Sequence, residues 1–146
     1  MINFKEIPEW WAICPNENCP MADSCLRHHA YENVPKELVK WPCVLPHVLK
    51  DGQCPKYQKT EVVTLAKGFK STFNVVKSKE GKHKIRVWLQ GYFGCNGTYY
   101  RYHDGIRVLN PEQQKYIRDL FVEYGGCKEE EVTFDKTYTS YDFTRM

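Results

Sequence analysis

The chain has 146 residues, of which 42% are hydrophobic and 27% charged, and its formal net charge is +3. This length predicts one compact domain or two small ones, and no apolar run approaches the roughly 20 residues that a membrane-spanning helix needs. The opening residues MINFKEIPEWWAIC do not have the pattern of a signal peptide. We therefore expect a soluble, cytoplasmic protein without membrane attachment.

Charge is distributed unevenly along the chain. Residues 1–57 carry 6 Lys/Arg and 7 Asp/Glu, residues 58–109 carry 10 and 3, and residues 110–146 carry 5 and 8. The corresponding net charges are −1, +7 and −3. The proportion of cysteine and proline also falls near residues 55–60, which predicts a cysteine-rich metal-binding module at 1–57 and a sheet with an amphipathic helix at 58–146, forming one compact unit.

The first part of the chain has weak signals of secondary structure. Residues 20–31 (PMADSCLRHHAY) predict a helix with proline at its first position, and residues 35–41 predict one further turn. The segment WPCVLPHVLKDGQC contains two prolines and an Asp-Gly pair, so it reads as a loop.

The middle of the chain has the alternation that is typical of strands. Apolar residues alternate with polar ones over 69–77 and again at Ile85, Val87 and Leu89, and the pairs Asn96-Gly97 and Asp104-Gly105 suit tight hairpin turns. These signals predict an antiparallel β-meander with strands at 69–77, 84–95, 98–103 and 106–109.

The sequence predicts one helix from signals at both of its ends. Asn110 and Gln113 form a capping-box pattern around Pro111, an apolar stripe follows, and Gly125 suits the C-terminal end. We expect this helix to cover the meander, with a last strand at 132–135 and an aromatic tail packed on the core. The predicted fold class is therefore α+β: a helical, loop-rich cysteine metal knuckle packed on an antiparallel β-meander with one covering α-helix.

Seven cysteines are present, and clustered cysteines in a cytoplasmic protein are more typical of metal ligands than of disulfides. Four of them have ligand-like spacing and polar, turn-rich surroundings, and three of the four precede proline: Cys14, Cys19, Cys25 and Cys54. Four thiolates suit a structural zinc ion. Cys-Pro pairs also occur in iron–sulfur proteins, so an iron–sulfur cluster remains an alternative cofactor.

Three further residues bear on this site. Cys43 lies in the apolar stretch WPCVLP, so we expect it to be a buried packing residue. His28 and His29 follow Cys25 by three and four residues, and each is a possible replacement ligand, although a surface or supporting position is the simpler expectation.

Basic and aromatic residues interleave between residues 77 and 107. The candidates for contact with nucleic acid are Lys77, Lys79, Lys82, Lys84, Arg86, Trp88, Arg101 and Arg107. Basic side chains attract phosphates and exposed aromatic rings stack on bases. Strands also favour aromatic residues, and lysines keep sheet edges soluble, so this pattern has a purely structural explanation as well.

The sequence contains no combination of residues that indicates catalysis. The glycines of GYFGCNG do not have the spacing of a phosphate-binding loop, and no base is paired in sequence with Cys95 or Cys127. We therefore predict no catalytic residues and lean against an enzyme.

Three segments, CPNENCPMADSCLR, CPKY and TYYRYHDGIRVLNPEQQKYIRDLF, resemble a family of small cysteine-containing bacterial proteins of unknown function. The resemblance extends over most of the chain from residue 14, and Cys14, Cys19, Cys25 and Cys54 match its cysteine pattern whereas Cys43 does not. It implies no activity. The expected function is a non-enzymatic binding or adaptor module for an unknown protein partner, with zinc as a structural ion; the alternatives are a nucleic-acid-binding protein and an iron–sulfur redox or sensor protein.

Overall fold

The computed structural model of the protein describes residues 2–146. These residues form two compact units, one of residues 2–62 and 141–146 and the other of residues 63–140. The described chain contains four α-helices and a three-stranded sheet. The predicted α+β class is therefore confirmed.

The first unit consists mainly of loops and short 3-10 turns, which span Phe4–Glu6, Ala22–Ser24 and Pro46–Val48, together with helix α1 at Leu26–Glu32. Its core surrounds Trp11, whose side chain is fully buried. The Phe143 ring packs edge-on against Trp11 with 5.0 Å between ring centroids. The predicted docking of the aromatic tail on a core is confirmed by this contact.

The helix predicted over 20–31 is shorter than expected. Cys25 has extended backbone angles of φ −88° and ψ 121°, and it separates the 3-10 turn from α1. The Leu26 N–H donates to the Gln58 carbonyl at 2.7 Å, so a contact distant in sequence replaces continuation of the helix. The expected turn at 35–41 contains a Leu38 N–H to Pro35 carbonyl bond of 3.1 Å but no helix.

The remaining regular elements are helices α2 (Lys79–Phe93), α3 (Asn96–His103) and α4 (Pro111–Gly125) and strands β1 (Val62–Lys67), β2 (Val108–Leu109) and β3 (Lys136–Tyr141). The strand order is β2-β1-β3, and β1 pairs with β2 antiparallel, with Ala66 opposite Leu109. The core of the second unit contains aromatic and aliphatic side chains from the sheet and all three helices.

The predicted β-meander is wrong in most of its strands. Residues 84–95 and 98–103 belong largely to α2 and α3, and residues 71–75 form a 3-10 helix. In α2 the buried residues are Gly81, Ile85 and Leu89, whereas Val87 is 51% exposed. The burial therefore repeats every four residues, as in a helix, and the alternation of Ile85, Val87 and Leu89 does not reflect the structure.

Local signals at the helix ends explain this outcome. The Ser78 hydroxyl accepts from the Gly81 N–H at 2.9 Å and caps the start of α2, while Gly94, at φ +90°, ends it. The predicted hairpin turn at Asn96-Gly97 is instead the first turn of α3. Gly105, at φ +82°, is a turn residue, but this turn ends α3 with Asp104 at φ −87°, so the predicted hairpin turn between two strands is wrong here as well.

The prediction of α4 is confirmed. The Asn110 side chain accepts from the Gln113 N–H and the Gln113 side chain accepts from the Asn110 N–H, both at 2.9 Å. The helix packs chiefly on α2, at a crossing where a Cβ on Gly81 would lie 2.7 Å from the Tyr124 carbonyl oxygen. The last strand begins at Lys136 rather than at the predicted 132–135, and Val132 packs in the core instead.

Candidate metal centre

Four cysteines line one small cavity in the first unit. Cys14, Cys19, Cys25 and Cys54 share a cavity of about 20 Å³, which is close to the space that one water molecule requires. These are the four residues that the sequence analysis selects as metal ligands. The first and the last of them are 40 positions apart in the chain, so folding is needed to bring them together.

The backbone holds Cys14 and Cys54 through hydrogen bonds near each residue. The Cys14 N–H donates to the Arg27 carbonyl at 3.0 Å, and the Cys54 carbonyl accepts from the Tyr57 N–H at 3.1 Å. The turn before Cys54 places Asp51 at φ 52°, a left-handed conformation that aspartate adopts more readily than most residues. Each thiol therefore extends from backbone with defined turn geometry.

Cys19 and Cys25 lie at the two sides of the Ala22–Ser24 turn. The Cys19 carbonyl accepts from the Ala22 N–H at 3.1 Å, and the Cys25 N–H donates to the Ala22 carbonyl at 3.3 Å. Cys25 immediately precedes α1 and is buried. This compact turn holds two of the four cysteines that line the cavity.

The four thiols influence one another electrostatically. Burial is the main reason that the pKa of the Cys14 thiol is raised, a backbone hydrogen bond from Asn16 opposes this, and the neighbouring Cys25, Cys19 and Cys54 raise it further. Several thiolates confined to so small a space repel one another. A bound cation would remove this repulsion, because it attracts every thiolate at once.

Arg27 is a functional candidate that the sequence analysis missed. Its side chain lines the cavity and the residue is only 2% exposed. Its guanidinium donates to the carbonyl oxygens of Lys56 at 2.9 Å, Ala12 at 2.6 Å and Arg145 at 3.0 Å. Burial lowers the pKa of Arg27, while the proximity of Cys25, Cys54 and Cys14 raises it. A buried positive charge therefore lies beside the thiols.

The two histidines of α1 differ in their position relative to the cavity. One ring nitrogen of His28 lies 2.9 Å from the Cys14 carbonyl oxygen, and the other lies 3.2 Å from a carboxylate oxygen of Glu32. His28 also lines the cavity. The Nε2 atom of His29 lies 2.6 Å from the Asp23 carbonyl oxygen. Both nitrogens of His28 thus have polar partners in the protein.

The side chains that line the cavity do not already lie at metal-binding distances from a common centre. Among residues 2–146, no group of three or more His, Cys, Asp or Glu side chains is placed so that it could hold a metal ion directly. Zinc–sulfur bonds of about 2.3 Å in a tetrahedron separate the sulfur atoms by roughly 3.8 Å. Metal binding therefore requires the four thiols to rotate toward the centre of the cavity that they line.

The other three cysteines do not line this cavity. Cys43 is exposed, so the prediction that it is a buried packing residue is wrong. In the apolar stretch that contains Cys43, the neighbouring Val44 is the buried residue. Cys95 is exposed, and Cys127 is buried in the core of the second unit.

The basic candidates lie mainly on α2 and α3 instead of on a sheet. Lys79, Lys82 and Arg86 are three and four residues apart along α2 and therefore share one face. Lys84 and Trp88 belong to another face of the helix, where Lys84 pairs with Glu80 at 3.4 Å and Trp88 stacks on Tyr124 with 6.2 Å between ring centroids. The structure thus separates the candidates into two groups.

The other members of that set lie around these helices. Lys77 precedes α2, and Arg101 is in the last turn of α3. The Arg107 guanidinium lies 5.9 Å from the centroid of the Tyr102 ring.

None of the helices in residues 2–146 is both long enough and apolar enough to cross a membrane.

Comparison with known proteins gives one match. A protein-family model covers residues 1–143, and its description is a family of unknown function. Searches of curated proteins and of solved structures return no match to this chain. The predicted resemblance to a family without assigned function is therefore confirmed.

Proposed function

Since the chain belongs to the family of unknown function DUF6078, membership assigns it no activity, and we propose a function from the cysteine cavity. We propose that the protein is a non-enzymatic binding or adaptor module whose first unit is held together by one zinc ion bound to Cys14, Cys19, Cys25 and Cys54. The observation that carries this proposal is that all four cysteines line a single cavity of about 20 Å³.

The charge around the cavity supports binding of the metal by thiolates. Four thiolates around Zn²⁺ leave a net charge of −2, and an uncompensated buried charge is costly. Arg27 supplies a buried positive charge beside the thiols. Three backbone carbonyls fix its position, so the guanidinium does not need to move when the site fills.

Four cysteines suit a single zinc ion, which needs four thiolates and no further inorganic component. An iron–sulfur cluster on the same four thiolates would add two or more irons and their bridging sulfides. Clustered free cysteines also fit the reducing cytoplasm, where this proposal places the protein.

Four protein ligands give the ion a structural role. Catalytic zinc keeps one coordination position for water or substrate, whereas a site with four cysteines has none open. The first unit has few regular elements, and its binding energy for the metal would contribute directly to folding. We infer that the metal stabilises a scaffold and that recognition of a partner depends on the protein surface.

Replacement of one ligand tests this proposal. We expect Cys19→Ser to lose bound zinc and to lower the melting temperature by about 10 °C or more, because the energy of metal binding is energy of folding. Cys43→Ser is the matched control, since Cys43 is exposed and does not line the cavity; it should retain both properties. Equal melting temperatures for the two variants and the parent protein would contradict a structural metal.

A further inference from the structure

We propose that α2 and α3 form a binding surface for single-stranded nucleic acid, in which Lys79, Lys82 and Arg86 contact phosphates and the Tyr100 ring stacks on a base. This surface lies in the second unit and is independent of the metal site.

The charge of this region is strongly one-sided. From Lys70 to Arg101 the sequence contains seven Lys and Arg residues and one acidic residue, a net charge of +6. The acidic residue, Glu80, already pairs with Lys84 at 3.4 Å. The next acidic residue, Asp104, lies near Tyr99 and is 2.7 Å from His103, and with Arg107 included the net charge remains +6. A positive segment of this kind attracts a phosphate backbone.

The three proposed phosphate contacts form one continuous row. Lys79, Lys82 and Arg86 occupy positions i, i+3 and i+7 of α2, so they follow one another along one face over about 10 Å of helix. Within residues 2–146, none of the three forms an ion pair with a carboxylate. Lys79 and Arg86 are exposed and Lys82 is half-buried. The row can therefore meet successive phosphates of a flexible strand.

One exposed aromatic ring packs on a buried tyrosine that Arg86 approaches. Burial raises the pKa of the Tyr99 hydroxyl and the nearby Arg86 side chain opposes this rise, while the Arg86 guanidinium lies 6.0 Å from the centroid of the Phe73 ring. The Tyr100 ring packs edge-on against Tyr99 with 5.0 Å between centroids. Arg86 and Tyr100 thus both lie near the same buried tyrosine, Arg86 from α2 and Tyr100 from α3, and Tyr100 remains 46% exposed.

This combination suits a single strand better than a duplex. Bases of a double helix are stacked on one another, so their faces are closed to a tyrosine ring, whereas bases of a single strand stack readily on aromatic side chains. The proposed site has both elements that such proteins use: a basic row for the backbone and an exposed ring for a base. An acidic protein partner would use the charges but would gain little from Tyr100.

Fluorescence anisotropy with labelled 20-nucleotide dT and U strands, with a duplex of equal length for comparison, tests this surface in the full-length chain. We expect micromolar or tighter binding at about 50 mM salt, where the phosphate interaction is strong. Lys82→Glu/Arg86→Glu should weaken binding at least tenfold and flatten the dependence on salt. The control Lys36→Glu/Lys40→Glu changes net charge equally in the first unit and should stay within twofold of the parent protein.

A second variant separates stacking from charge. Tyr100→Leu preserves an apolar side chain and all charges, and it should weaken binding to single strands about fivefold or more while leaving the melting temperature unchanged. The proposal is overturned if the parent protein does not bind, if both double variants weaken binding equally, or if Tyr100→Leu has no effect and the duplex binds as tightly as the single strands.

Discussion

The guanidinium of Arg27 lies 4.5 Å from the centre of the Trp11 ring, and both residues are buried. Through this cation–π contact, the positive charge beside the cysteine cavity packs on the residue at the centre of the core of the first unit. The same guanidinium bonds three backbone carbonyls from separate segments of the first unit. Arg27 therefore packs on the core, binds three backbone segments and lies beside the thiols.

Removal of this guanidinium should destabilise the protein. We expect Arg27→Met to lower the free energy of unfolding by about 3 kcal/mol, because three carbonyls lose their donor and each unmet buried group costs roughly 1 kcal/mol or more. Arg27→Lys retains a charge but reaches fewer carbonyls, so its loss should be smaller. Urea unfolding measures both values.

The exposed Arg101 of α3 provides the control. Arg101→Met should change the free energy of unfolding by less than about 0.5 kcal/mol, as surface substitutions usually do. If Arg27→Met unfolded at the same urea concentration as Arg101→Met, the proposed role of Arg27 in the first unit would be wrong.

The crossing of α2 and α4 depends on glycine at position 81. We expect Gly81→Ala to destabilise the protein by about 1–3 kcal/mol, since its Cβ would lie 2.7 Å from the Tyr124 carbonyl oxygen and 2.8 Å from the Ser78 hydroxyl oxygen. Gly91 is on the same helix and has open space around a Cβ. Gly91→Ala should therefore stabilise the protein by about 0.5–1 kcal/mol through helix propensity. Thermal unfolding distinguishes the two opposite signs.

Cys95 should be more reactive than an ordinary thiol. A hydrogen bond from the Thr98 hydroxyl is the main cause of its lowered pKa, helped by the Thr98 backbone N–H, and the two side-chain atoms lie 3.3 Å apart. Because its pKa is lowered, Cys95 forms the reactive thiolate at a lower pH than an ordinary thiol does. Iodoacetamide should therefore alkylate Cys95 at a lower pH than Cys127, whose pKa is raised by burial. Peptide mass spectrometry after timed alkylation measures both rates.

Two substitutions identify the cause of this reactivity. Thr98→Val keeps the side-chain shape but removes the hydroxyl, so the midpoint of the alkylation profile of Cys95 should move upward in pH. Thr98→Ser keeps the hydroxyl and should leave the midpoint near that of the parent protein. A midpoint that Thr98→Val does not move would refute the hydroxyl as the main cause.

The sequence predicts α4 well because its signals are local. The capping box of Asn110 and Gln113 is formed by residues three apart, and the apolar stripe repeats along one short segment. In α2, by contrast, Ile85, Val87 and Leu89 fit a strand, whereas Gly81, Ile85 and Leu89 fit a helix. The Ser78 cap and Gly94 favour the helix locally, and contacts with α4, which sequence spacing does not contain, bury its apolar face.

The candidate site shows the same division between local sequence signals and contacts that only the fold creates. The cysteine set follows from residue type, spacing and the resemblance to a family, and the structure places all four residues around one cavity. Arg27 has no comparable signal, because its importance comes from carbonyls at Ala12, Lys56 and Arg145 that only the fold brings near. The exposure of Cys43 likewise depends on the path of its loop and not on its apolar neighbours.

Metal content per chain is the most direct test of the central claim. We would purify the full-length protein without oxygen, measure zinc and iron by inductively coupled plasma mass spectrometry, and record its visible spectrum. The account predicts about one zinc per chain, no iron and no visible absorbance. Iron with sulfide absorbance would contradict the zinc assignment in favour of a cluster, and protein that is folded without any metal would contradict the structural metal site altogether.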